Sequence, residues 1–204
     1  MWVIKLGGSL SSSGNLKEWL SIIVEFGAGK LLIVPGGGIF ADQVRDVQQK
    51  FKFDDKAAHQ MALLAMEQYA HLLQSYAPDL GLSDSIEGIE KAISLNHVHV
   101  WLPFNMVNTC PDVSANWNLT SDSLALWLAE QLNAEHVMLV KSSSSKNLNA
   151  RQLSGSEMVD KDFPVFVKKS ESAVWWLDQN DMGTLESLLK ENGEPEDYLK
   201  SVVY

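Results

Sequence analysis

A single cysteine, Cys110, serves all 204 residues. No disulfide can join two parts of this chain, and a reducing, cytoplasmic setting is the natural expectation. No apolar run approaches the roughly 20 residues that a membrane-spanning helix needs. The start, Met1-Trp2-Val3-Ile4-Lys5, lacks the charged, long-apolar and cleavage segments of a secretory leader and reads as a strand. Positive charge is scarce as well. Sixteen basic residues stand against 26 acidic ones, a formal net charge of −10, which argues against a broad nucleic-acid or membrane surface. A local phosphate site survives that argument, because a few lysines and helix N-termini outweigh the overall field at contact distance. Repeats and heptad arrays are also missing, so neither a solenoid nor a coiled coil is expected.

What is present is an ordinary hydrophobic fraction, 46%, enough for one sizeable core. Residues 3–6 read as a strand. Asn15 and Glu18 then look like a helix N-cap pair, and Leu16, Trp19, Leu20 and Ile23 share one helical face. Gly27 and Gly29 end that helix before an apolar strand at 31–34, and a helix begins at Ile39. Residues 57–76 form a long helical pattern, apolar nearly all round and closed by Pro78. Such a helix is either buried or offered to a partner. A strand at 98–102 ends at Pro103, and 104–118 is irregular. Thr120-Ser121-Asp122 opens a helix with Leu124, Trp127, Leu128 and Leu132 on one face, followed by a strand at 136–140. Beyond it, 165–167 and 174–177 are candidate strands, Leu185, Leu188 and Leu189 mark a helix, and 198–204 is a candidate closing strand. Strands alternating with helices predict an α/β fold with a mostly parallel sheet covered on both faces.

Ligands in such sheets sit at the carboxyl ends of strands, and the chain's unusual motifs fall there. Lys5 lies near the end of an otherwise apolar strand and is followed by Gly7, Gly8 and Ser9. A lysine buried there is costly unless something negative meets it, and glycine amides approach an anion closely. Gly36, Gly37 and Gly38 stand between a strand and a helix, where a plain turn rarely needs three glycines. That placement makes a phosphate nest with a helix dipole behind it. Asp42 and Arg45 follow in the first turns of that helix, as a dipole partner and a surface residue or as clamps on a substrate. Four polar residues, Thr120, Ser121, Asp122 and Ser123, crowd one helix start. Capping explains one of them well and all four poorly. Asp122 is a candidate for orienting phosphate-binding lysines or holding Mg²⁺. Lys141, directly after a strand, would face the same crevice as Lys5. His59 is a candidate for lining an acceptor pocket and Trp117 for covering an aromatic ligand, against the plainer reading of both as structural residues. Gly36, Gly38 and Ala41 also fit a loose dinucleotide pattern, with Asp54 or Asp55 as a ribose-binding acid.

The segments VIKLGGSL at 3–10, VPGGG at 34–38 and NLTSDSLALWLAEQLNAEHVMLVKS at 118–142, in that order, resemble the amino acid kinase superfamily. Within it, VPGGGIFADQVRDVQQKF, AAHQMALLAMEQYAHLL and WNLTSDSLALWLAEQL look closest to the small (aminomethyl)furanmethanol phosphate kinases of methanofuran-type cofactor synthesis, found in archaea and methylotrophic bacteria. The resemblance implies a three-layer αβα sandwich forming one domain over 1–204, with an acceptor part at about 1–112 and a nucleotide part at about 113–204. It implies ATP and Mg²⁺, a small phosphorylated acceptor and usually a homodimer. Lys5, Asp122 and Lys141 would be catalytic. Gly7, Gly8, Ser9, Gly37, Gly38, Ser121 and Ser142 would hold the nucleotide, and Gly36, Gly37, Asp42, Arg45 and His59 the acceptor. One departure stands out: many members follow that last lysine with Asp-Gly-Val, and here the run is Ser142, Ser143, Ser144, Ser145, Lys146, Asn147. Two alternatives therefore stay open at the level of sequence. One is a non-catalytic or regulatory module, joining a pathway partner through the long helix. The other is a dinucleotide-binding oxidoreductase.

Overall fold

The computed structural model describes residues 1–12, 14–142, 148–191 and 193–204. The centre of the sheet is built from the three most apolar runs. β1 (Trp2–Leu6) lies between β2 (Leu31–Pro35) and β5 (His136–Lys141), parallel to both, with Trp2 opposite Leu31 on one side and His136 on the other. Outward from β2 come β4 (His99–Trp101) and β3 (Gly81–Ser83), and outward from β5 come β6 (Ala173–Asp178) and β7 (Lys200–Ser201). Among the described residues the order is β3-β4-β2-β1-β5-β6-β7, and only β7 runs antiparallel.

Successive side chains of a strand point to opposite faces, and the core divides accordingly. Val3, Leu32, Val34, Val137, Leu139 and Trp176 pack on one face with α6 (Ser121–Gln131), α7 (Ala150–Gly155), α8 (Phe163–Lys169) and α4 (Ile86–Ser94). Ile4, Leu6, Ile33, Met138, Val140 and Trp175 pack on the other with α1 (Leu16–Phe26) and α9 (Met182–Glu191). Helices on both faces make this the three-layer α/β sandwich that the motif order implies. α2 (Gly38–Phe51) and the long α3 (Asp55–Tyr76) pack together through small residues, Ala41, Ala58 and Ala65. α3 feeds Leu63 and Met66 into one core and Tyr69, Ala70 and Leu73 into the other, which explains its apolar residues nearly all round.

Several local expectations need correction. Asn15 occupies the N-cap of α1 but makes no side-chain cap hydrogen bond. Residues 165–167 are helical: Pro164 stands in the first turn of α8, where its fixed φ suits a helix start. The closing strand is reduced to β7 and a single bridge from Asn149 to Val203. A short helix, α5 (Phe104–Val107), breaks the irregular stretch. Asp54 caps α3, accepting from the Ala57 N–H at 2.7 Å, and Asp55 accepts from Gln48 Nε2 at 2.9 Å. Both acids of the dinucleotide reading are therefore engaged in local structure.

Candidate functional site

From β1 the chain moves to β2 on one side, and β5 later enters on the other, so the crevice between the carboxyl ends of β1 and β5 is a topological switch point. Register decides what enters it. Lys5 is the partner of Leu139, and Lys141 lies two residues beyond Leu139. Both lysines therefore project from the face covered by α6. α6 delivers Asp122 in its first turn, where a carboxylate is favoured by the helix dipole. Lys5 Nζ lies 2.7 Å from Asp122 Oδ1 and Lys141 Nζ lies 2.7 Å from Oδ2. All three side chains are largely out of water, at 7%, 13% and 7% exposure for Lys5, Lys141 and Asp122.

Burial alone would raise the Asp122 carboxyl, but the ammonium groups of Lys141 and Lys5 outweigh it and hold it down at about 2. Burial brings the Lys141 ammonium down to about 8 against the attraction of Asp122. Lys141 gives a second hydrogen bond to the Met158 carbonyl at 2.7 Å. An ammonium has three donors, so among the described residues one remains for a ligand.

The two glycine loops meet face to face. Gly36 N–H donates to the Leu6 carbonyl at 2.9 Å. A Cβ on Gly8 would sit 2.3 Å from Gly38 Cα, and one on Gly36 would sit 2.6 Å from Gly8 N. Contact this close admits no side chain, and Gly38 also takes the left-handed φ of +52°. Gly37 is the N-cap of α2 and offers no side-chain cap, leaving the first turn of that helix open to an anion. Gly7 is buried beneath the Val140 carbonyl.

Beside these loops lies a cavity of about 230 Å³. Gly8, Ser9, Gly36, Gly37, Gly38, Thr120 and Ser121 line its polar side, and Asp42, Arg45, Asp55, His59, Leu63, Met66 and Trp117 line the rest. Arg45 is bonded to Asp42 at 2.9 Å and its guanidinium lies 4.4 Å from the Trp117 ring centre. Trp117 Nε1 donates to Gln48 Oε1 at 2.6 Å, and Gln48 in turn to Asp55. His59 is 8% exposed, and burial lowers its pKa, favouring neutral imidazole. Lys5, Asp122 and Lys141 lie outside the lining, as does Ser142, which is exposed past the end of β5. The run 143–147, on which the departure after Lys141 turns, lies outside the described residues.

One residue escaped the sequence reading. Asp160, just ahead of α8, sends its carboxylate into the start of α6. Oδ2 accepts from Thr120 N, Thr120 Oγ1 and Ser123 N, each at 3.0 Å. Oδ1 accepts from Ser123 Oγ and from Phe163 N at 2.9 Å. The helix is thus capped from a distance, and Thr120 makes no cap bond of its own. Burial and the charge of Asp122 push Asp160 up to about 6 against these donors. The excess of polar residues at 120–123 was its trace in the sequence.

Among the described residues no group of three or more His, Cys, Asp or Glu could hold a metal, and no helix is long and apolar enough to cross a membrane. Both oxygens of Asp122 are occupied by ammonium groups, which fits an organiser of the lysines better than a metal ligand.

Residues 1–145 match the amino acid kinase family. A protein of Methanocaldococcus jannaschii named [5-(aminomethyl)furan-3-yl]methyl phosphate kinase is 26% identical over 187 residues, covering 83% of each chain. The fold is shared with the uridylate kinase of Archaeoglobus fulgidus (TM-score 0.72, 19% identity, 100% of this chain and 99% of that one). It is shared too with the UMP kinase of Bacillus anthracis (TM-score 0.70, 13% identity, 97% and 93%).

Proposed function

This chain belongs to the amino acid kinase family, and on that premise we propose that it transfers the γ-phosphoryl group of ATP to a small phosphorylated acceptor, making a diphosphate. The best candidate is (aminomethyl)furanmethanol phosphate, the compound in the name of the M. jannaschii relative. The observation that carries the reading is the meeting of Lys5 and Lys141 on Asp122. In the transfer, an acceptor phosphate oxygen bonds to the γ-phosphorus while the bond from that phosphorus to the β–γ bridging oxygen breaks, releasing ADP. Such a step asks the protein for position and charge rather than covalent chemistry. Lys5 and Lys141 neutralise the migrating group, and Asp122 keeps the two cations side by side without letting either swing away. The amides of Gly37 and Gly38 and of the loop at Gly7, Gly8 and Ser9 hold phosphate oxygens, with Ser121 beside them, while Gly36, whose N–H is given to the Leu6 carbonyl, contributes the close approach of the two loops. Mg²⁺ would arrive on the phosphates of ATP and add charge neutralisation there. The cavity takes the acceptor, Arg45 and the uncapped start of α2 meeting its phosphate, Trp117 and His59 its ring, and Asp42 its amine.

The dinucleotide alternative falls with the family assignment and with the local roles of Asp54 and Asp55. The test is ADP release by the purified protein with ATP, Mg²⁺ and a panel of phosphorylated acceptors. The expected result is turnover that Lys5→Ala abolishes while its circular dichroism spectrum stays unchanged. Failure to bind ATP at millimolar concentration would sink the proposal.

A further inference from the structure

Resting on that kinase reading, we infer that Asp160 is a positioning residue for phosphoryl transfer, fixing the first turn of α6 and, through it, the Asp122 carboxylate on which both lysines converge. Residues 158–160 form a clasp with three anchors. The Met158 carbonyl holds Lys141 Nζ at 2.7 Å. Val159 is buried in the core. Asp160 accepts five hydrogen bonds, four of them from Thr120 and Ser123, which flank Ser121 and Asp122 in sequence. The clasp follows α7, whose end is turned by Glu157 in the left-handed region at φ 57°. One short segment therefore touches both parts of the lysine–carboxylate cluster: Lys141 directly, and Asp122 through its helix turn. A cap needed only for helix stability could have come from Thr120 itself, the residue type preferred at that position. Here Thr120 and Ser123 both turn toward a distant carboxylate instead.

The charge of Asp160 also reaches Lys141. Among the described residues the groups facing Lys141 are Asp122 of α6, Lys5 of β1, Asp160 of the clasp and the Trp176 ring of β6, 5.9 Å away. Asp178, its register partner on β6, accepts from Asn180. Asp160 itself faces Asp122 and the Thr120, Ser123 and Phe163 donors. Removing its negative charge makes the protonated lysine less favourable.

The experiment compares wild type, Asp160→Asn and Ser123→Ala by steady-state kinetics across pH, with ATP and the best acceptor found. Asp160→Asn should lower kcat by about 10- to 100-fold, the scale of an ångström-sized misplacement, with KM for the acceptor changed by less than about threefold. It should also move the alkaline limb of kcat/KM to lower pH. Ser123→Ala, which removes a single donor and keeps the carboxylate, should lower kcat in the same direction by less and leave the limb in place. If Asp160→Asn fails to fold, Ser123→Ala decides by its kcat. A folded Asp160→Asn protein with wild-type kcat and an unmoved limb overturns the inference, even if its melting temperature falls. Absence of turnover in the wild type overturns the kinase reading and this inference with it.

Discussion

A lysine buried near a strand end must find a counter-charge, and here one carboxylate serves two such lysines. Removing it leaves two ammonium groups facing each other out of water. Asp122→Asn should therefore lower stability by about 3–5 kcal/mol, the scale of a broken buried pair, read in a urea titration. Asp42→Asn breaks the exposed pair with Arg45 and should stay within about 1 kcal/mol of wild type. The Asp122 carboxyl titrates at about 2 when folded, below its ordinary 3.8. Its stabilisation is therefore complete above pH 3.8 and lost as pH falls through about 2. Lys141 sets the other end. With its pKa brought down to about 8, activity that needs its charge should fall above that pH in kcat/KM, which reports the free enzyme. Lys141→Arg should carry the limb beyond the accessible range, because guanidinium stays charged. An unshifted limb would assign it to another group. This cluster was legible in the sequence because a charged residue ending an apolar strand is conspicuous. Asp160 was not, since a single aspartate in a polar connection looks like any other until the chain folds it onto a helix start.

Among elements, the strand–glycine–helix units were the most readable, because apolar runs and multiple glycines are local signals. Short pieces were not. β3, three residues long with a glycine and a serine, carries no period to detect. The valines of 165–167 suggested a strand, yet Pro164 and the packing of Phe163 set a helix. Tertiary context overrode β propensity there. The apposition of the glycine loops predicts unequal glycine sensitivity. Gly8→Ala would drive a methyl to 2.3 Å from Gly38 Cα and should cost about 1–3 kcal/mol as backbone shifts to relieve it. ATP binding by calorimetry should be lost alongside. Gly183→Ala, within α9 and with open space around the added carbon, should instead gain about 0.5–1 kcal/mol from helix propensity. A stable Gly8→Ala protein with full ATP affinity would show that the two loops need no such closeness.

The order of strands was beyond local reading, since β5 reaches its place beside β1 from more than half the chain away and no spacing rule announces it. That placement governs the molecule as a whole. β1 is paired along its full length to β2 and to β5, and each face's apolar core draws residues from both sides of residue 112. Residues 1–112 and 113–204, the proposed acceptor and nucleotide parts, are therefore two ends of one sheet, and the lysine–carboxylate cluster is split between them: Lys5 comes from the first, Asp122 and Lys141 from the second. A chain cut at 112 would leave the long apolar edges of β1 and β5 without their partner, edges that favour aggregation over folding. Residues 1–112 and 113–204 expressed apart should each give collapsed, poorly dispersed amide spectra. The intact chain should melt in one transition seen alike by tryptophan fluorescence and far-ultraviolet circular dichroism. ATP should raise that single transition, since only the assembled sheet brings the lysines together and ligand bound to the folded state alone stabilises it. A half that folds by itself, or two separated transitions of which ATP shifts one, would mean that the lysine pair is assembled by docking of two independent units rather than by the pairing of β1 with β5.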